Sequence, residues 1–182
     1  MKSLIVFLLP LIACSSSICA QEKKGEESEK GTQQLSLMLS HSHISNGIDE
    51  DGNRTWIAMP SWGFDYFYWV SNTWSVGLST DVILDNFKVQ NKEGNGEIER
   101  SFPFAAVPSV KFKPFAHSSF ALGMGGEFAS EGNYALTRIT YELGWEIPHG
   151  WEISGSLAYD IKWNGYDTWT LGVVISRMIR NE

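Results

Sequence analysis

Apolar and polar residues alternate one by one from residue 33 to the end of the chain. Leu35, Leu37 and Leu39 oppose Ser36 and Ser40. Over 55–70 the even positions Trp56, Trp62, Phe64, Tyr66, Tyr68 and Val70 oppose Ser61, Gly63 and Asp65. Over 74–89, Trp74, Val76, Leu78, Val82 and Leu84 oppose Ser75, Gly77, Ser79, Asp81 and Asp85. Apolar even positions continue through 101–113 and 119–129, and apolar odd positions take over in 138–147, 151–162 and 169–176. Side chains that alternate with period two belong to strands, since a helix repeats near 3.6. Eight strands are predicted.

The connections alternate in kind. Ser71-Asn72-Thr73, Pro114 to Ser118 and Pro148-His149-Gly150 read as tight turns, and between them fall 44–53, 90–99, 130–133 and 164–167. In an up-and-down meander every second connection lies at the same end. The two longest loops, 44–53 and 90–99, then share one end and the tight turns share the other. Short periplasmic turns opposite longer external loops are the pattern of outer-membrane barrels.

Volume decides which face points outward. The interior of eight strands holds side chains or one small ligand. The apolar face carries seven of the eight tryptophans with many Phe, Tyr and Leu, too much for that space. Ser, Gly, Ala and Thr with scattered charges fit a narrow lumen. The fold expected is therefore all-β, an eight-stranded antiparallel up-and-down transmembrane β-barrel, rather than a soluble lipocalin-like carrier of a small apolar ligand. The aromatics fall into two groups: Trp56, Phe102, Phe104, Phe128, Trp163 and Trp169 toward the long loops, and Tyr68, Trp74, Phe112, Tyr141, Trp145 and Trp151 toward the tight turns. Such belts match the interfacial girdles of membrane barrels.

The remaining sequence supports export. Lys2, an apolar stretch from Leu4 to Ala13 and a small polar exit ending at Ala20 read as a secretory signal over 1–20, too short to span a bilayer. Leu11-Ile12-Ala13-Cys14 resembles a lipobox, the alternative in which Cys14 carries a lipid. Residues 21–32 contain no large apolar residue and read as a disordered charged tether, which leaves 33–182 as the barrel domain. Cleavage after Ala20 removes both cysteines and Lys2, leaving 13 basic against 21 acidic residues. Nucleic acid is excluded as a partner, because no basic stripe exists to neutralise phosphates.

In pattern, residues 33 to 180 resemble the small outer-membrane barrels of the OmpA and OmpX kind, and more loosely the uncharacterised outer-membrane barrel families. The chain departs from them at its end, Met178 to Glu182, where the resemblance implies a final aromatic residue. It implies a bacterial outer membrane as the location, with membrane lipid and lipopolysaccharide as partners. A monomer is expected, with the 44–53 and 90–99 loops available to an extracellular ligand. The role expected is non-enzymatic, structural or surface-interacting.

Candidate chemistry lies in two places. The lumen positions Asp65, Asp81, Asp85, Glu127, Glu142, Glu146, Glu152 and Asp160 face Lys111, Lys113, Arg138 and Lys162. Charges enclosed this way must pair or keep water. They predict an ion-pair plug, with a gated proton or ion path as the alternative. The second place is His43-Ile44-Ser45-Asn46, which resembles the His-x-Ser-Asn motif of PagL-type lipid A deacylases. By that resemblance His43 is the general base and Ser45 the nucleophile of an acyl-ester hydrolase. A triad also needs a carboxylate to orient His43, and Asp49, Glu50 and Asp51 are the nearest in sequence. Asp49 to Asn53 echoes half of a calcium loop without its closing Glu, so a hairpin tip is expected there and no metal. No cofactor is expected.

Overall fold

The computed structural model describes residues 29–49, 51–90 and 96–180. Among them are ten β-strands: β1 (Gln33–Ile48), β2 (Arg54–Trp69), β3 (Trp74–Ile83), β4 (Asn86–Gln90), β5 (Glu97–Ser101), β6 (Phe104–Phe115), β7 (Ser118–Ala129), β8 (Gly132–Ile147), β9 (Trp151–Lys162) and β10 (Asp167–Ile179). Eight of them close an antiparallel ring in the order β1-β2-β3-β6-β7-β8-β9-β10. The seam between β10 and β1 runs from Gln33↔Ile179 to Ile44↔Thr168. Ring neighbours follow one another along the chain apart from the inserted β4–β5 hairpin, so the meander is as expected.

That hairpin corrects two expectations. The segment 74–89 is not one strand: β3 stops at Ile83, and the loop read over 90–99 carries the end of β4 and the start of β5. Phe87 and Val89 are apolar at odd positions, against the even parity of β3, which marks the break. The hairpin hangs on β1 through the single pair Gly47↔Val89. Similarly, 44–48 belongs to β1 and only a short tip remains between Ile48 and Arg54.

The apolar face is outward. Leu39, Trp62, Leu122 and Leu171 are 53, 52, 58 and 55 % exposed, while their chain neighbours Ser40, Ser61, Ala121 and Thr170 are at most 8 % exposed. Cross-strand pairs organise that surface, with Trp74 stacked on Phe112 at 4.5 Å and Phe120 against Tyr141 at 5.0 Å. The eighth tryptophan, Trp69, points inward with Phe67, and both are buried. Gly77 makes room for them: a Cβ there would collide with the Tyr66 carbonyl oxygen and lie 2.7 Å from the Phe67 ring. Residues 29–32, read as the end of the tether, lie at the short-turn end of the barrel. Gly31 N–H donates to the Trp69 carbonyl at 2.8 Å, Trp69 N–H donates to the Thr32 carbonyl at 2.9 Å, and Thr32 is buried. The expected leader and residues 21–28 lie outside the described residues.

Candidate functional site

The lumen carries an apolar cap at one end and charged groups along the rest of its length. At the long-loop end Ile44, Ile83, Phe87, Val89 and Tyr166 form a buried apolar cap, flanked by Ile57, Met59, Ile98 and Tyr134. Tyr166 sits edge-on to Phe87 and to Tyr134, at 5.8 and 5.9 Å between ring centres. The cap is thus built partly from the β4–β5 hairpin, which bridges the mouth. Its far side meets the β7–β8 turn, where Ser101 N–H donates to Glu131 Oε2 at 3.3 Å.

Beneath the cap lies a charged cluster that joins the expected Glu127 and Lys162 to two residues the alternation did not signal, Arg100 and Tyr166. Arg100 of β5 is fully buried; its Nη1 donates to the Gly132 carbonyl at 2.7 Å and its Nη2 lies 2.7 Å from Glu127 Oε1. The Tyr166 hydroxyl donates to the same oxygen at 2.6 Å, and Lys162 Nζ lies 3.2 Å from Glu127 Oε2. Lys162 also donates to Thr168 Oγ1 at 2.6 Å and stands 4.4 Å over the Tyr166 ring. Burial pushes the Tyr166 phenol well above the ordinary tyrosine range, and the Glu127 carboxylate it bonds adds to the effect.

Further along, Arg138 grips Asp160 bidentately, with Nε and Nη2 each 2.6 Å from a carboxylate oxygen, and also pairs with Asp81. Lys111 pairs with Glu142 at 2.7 Å, Ser119 Oγ donates to Glu142 at 3.2 Å, and the Lys111 ammonium lies 4.3 Å over the Phe67 ring. Asp65 accepts from Thr80 N–H at 3.1 Å. At the floor Lys113 gathers Glu29 at 2.7 Å, Glu146 at 3.4 Å and Glu152 at 3.9 Å. The β10-β1-β2 side of the lumen is lined instead by hydroxyls in contact: Ser36 with Ser176, and Ser61 with both Ser40 and Ser42, each at 2.8 Å. Fork-shaped and charge-assisted contacts of this kind are shorter and stronger than neutral hydrogen bonds. A pocket at the floor, lined by Gln34, Trp69, Lys111, Lys113, Glu142 and Glu152, has a cavity volume of about 10 Å³, the scale of one water molecule.

Most of the expected lumen residues therefore meet as four ion-paired groups, around Glu127, Arg138, Lys111 and Lys113, with corrections. Asp85 is not in the lumen: it is exposed in the β3–β4 turn, where its Oδ1 accepts from Asn86 N–H at 2.7 Å. The register break at Ile83 removes it from the inward row. Glu146 is at the exposed rim, with its side chain 67 % accessible. Arg100 and Tyr166 were missed because both lie outside the ring strands and reach the lumen only by folding back.

Among the described residues, which do not include Glu50, the hydrolase arrangement is not assembled. The His43 ring is stacked flat on Trp169, 3.8 Å between centres and 1° from parallel. Ser45 Oγ accepts from Asp167 N–H at 2.8 Å, beside a register shift between Ile44 and Gly47 with Asn46 at φ 59°. Asp49 does not turn toward His43. Its Oδ1 accepts from Asp51 and Asn53 N–H at 3.1 and 2.7 Å and closes its own hairpin tip. Among the described residues no hydrogen bond joins His43 to a carboxylate or to Ser45.

A solved structure with the same ring is the outer membrane protein OprG of Pseudomonas aeruginosa, 10 % identical, with a TM-score of 0.56 over 84 % of this chain and 98 % of that one. The fold is that of the small outer-membrane β-barrels. Ail, the attachment invasion locus protein of Yersinia pestis, matches at 17 % identity and a TM-score of 0.49, covering 81 % of this chain and 99 % of its own. Neisserial surface protein A matches at 9 % identity and the same TM-score, over 84 and 99 %. No protein-family model and no curated protein matches the chain. At these identities the likeness is one of fold.

Proposed function

We propose that this protein is a non-enzymatic barrel of a bacterial outer membrane, delivered by a cleaved leader. It holds lipid and lipopolysaccharide against its aromatic face and meets its surroundings through the β1–β2 and β4–β5 hairpins. One observation carries the reading: a continuous outward apolar belt surrounds a lumen closed by paired charges, so the surfaces left for interaction are the bilayer face and the external hairpins. A soluble carrier would need the opposite arrangement, an apolar interior with space of several hundred Å³ for a ligand.

Full-length protein reconstituted into phosphatidylcholine vesicles tests this directly. Brominated acyl chains should quench its tryptophan fluorescence strongly, and the unheated protein should migrate differently from the boiled one on a gel. Recovery from the periplasm as a soluble protein without detergent would overturn the reading. Intact mass of the exported protein separates a Gln21 start from a lipidated Cys14.

A further inference from the structure

The membrane face of the ring carries almost no charge. Among the described residues of the eight ring strands, the charged outward positions are Arg54 and Asp167 near the long-loop end and Arg177 near the short-turn end. Arg177 continues the outward row Leu171, Val173 and Ile175 of β10, each about half exposed. Its register partners are Leu35 of β1 and Trp151 of β9. The guanidinium lies over the Trp151 ring, 5.3 Å from its centre. The β8–β9 turn closes against it, and a Cβ on Gly150 would stand 3.7 Å from Nη1. That nitrogen is shielded from water and has no hydrogen-bond partner among the described residues, so an anion would meet the other edge of the guanidinium, which is not so shielded. No carboxylate of the described protein pairs with Arg177. Gln33 flanks the same seam, where its Oε1 accepts the Tyr66 hydroxyl at 3.3 Å and its amide nitrogen remains to donate.

A guanidinium in an apolar belt is costly without a counter-anion. A tryptophan face holds a cation at the interfacial level, where lipid headgroups lie. The planar fork of arginine matches a phosphate better than the point charge of lysine does. We propose that Arg177, backed by Trp151 and with Gln33 beside it at the β1–β10 seam, binds the phosphate of a phospholipid in the leaflet at the short-turn end. This rests on the membrane reading above. The anion neutralises a cation that no described carboxylate pairs on this part of the membrane face.

The test uses full-length protein in dodecyl maltoside, titrated with palmitoyl-oleoyl-phosphatidylglycerol and followed by native mass spectrometry. Wild type should retain lipid, and Arg177→Gln should bind it about tenfold more weakly, the loss expected for a charge-assisted hydrogen bond. Arg177→Lys should be intermediate, and it carries the test if the glutamine variant does not fold. Arg54→Gln, at the other end, should bind as wild type does. Palmitoyl-oleoyl-glycerol, which lacks the phosphate, should bind weakly to every form. Equal retention by wild type and Arg177→Gln, equal retention of the two lipids, or an equal loss in Arg54→Gln would each overturn the site. Failure of the protein to enter vesicles at all would instead sink the membrane reading.

Discussion

Arg100 stands on a hairpin outside the ring and Glu127 on a strand within it, yet Nη2 of one lies 2.7 Å from Oε1 of the other. The contact ties an external segment to the interior of the barrel. Glu127 also accepts from Tyr166 and pairs with Lys162, so one carboxylate joins three elements. Replacing it has more consequences than replacing any one of its partners.

Glu127→Gln should therefore destabilise the barrel by about 3–5 kcal/mol, the range for breaking a buried ion pair from one side. Arg100→Met should cost less, because Glu127 keeps Lys162 and Tyr166. Both variants should loosen the hairpin. Heat-modifiable gel shifts report the first effect, and the rate of trypsin cleavage within residues 86–101 of vesicle-reconstituted protein reports the second. Equal heat sensitivity in the two variants would argue against Glu127 as the common junction.

Arg138 should behave as a clamp between two carboxylates. Arg138→Met leaves Asp81 and Asp160 buried without their shared cation and should be strongly destabilising. Adding Asp81→Asn and Asp160→Asn should restore part of the loss, since removing a whole buried charge cluster is milder than removing one side of it. Urea unfolding from vesicles measures the recovery; a triple variant weaker than Arg138→Met alone would contradict the clamp.

Tyr166 gives the barrel a sensitivity to alkali. Its phenol is held protonated by burial and by the Glu127 carboxylate. The unfolded chain releases that proton near the ordinary value of about 10, while the folded chain keeps it. Its contribution to stability is complete below that pH and is lost as pH climbs toward the raised folded value. Unfolding midpoints between pH 8 and 12 should fall less steeply for Tyr166→Phe than for wild type.

Ser45→Ala should lose one hydrogen bond to the Asp167 backbone, worth about 1 kcal/mol, and nothing else. Fatty-acid release from phospholipid or lipid A should be the same for wild type, Ser45→Ala and His43→Ala. A release that either substitution abolishes would restore the hydrolase.

Gly77 should tolerate no bulky side chain. Gly77→Val drives a Cβ into the Tyr66 carbonyl and the Phe67 ring, and should reduce the yield of folded barrel on refolding into detergent.

The ring was legible along the chain because each of its strands is buried on one side only. Alternation records that asymmetry residue by residue, so the parity of Trp62 against Ser61, or Leu171 against Thr170, places the membrane face without any knowledge of partners. The same parity placed Asp81, Lys111, Arg138, Glu142 and Asp160 in the lumen. Which of them meet depended on closure of β10 on β1 and on the stagger of the strands. The cap and its pin were decided by the tertiary structure alone. Phe87 and Val89 fall in a stretch that reads as the end of a strand, and Arg100 and Tyr166 in or beside segments that read as loop; their burial arises only when those segments fold over a mouth built by β1, β3, β7 and β9. Glu29 joins Lys113 for the same reason. A period-two pattern encodes which side of a strand is dry; it carries no record of contacts between segments far apart in the chain, and those contacts close this barrel at both ends.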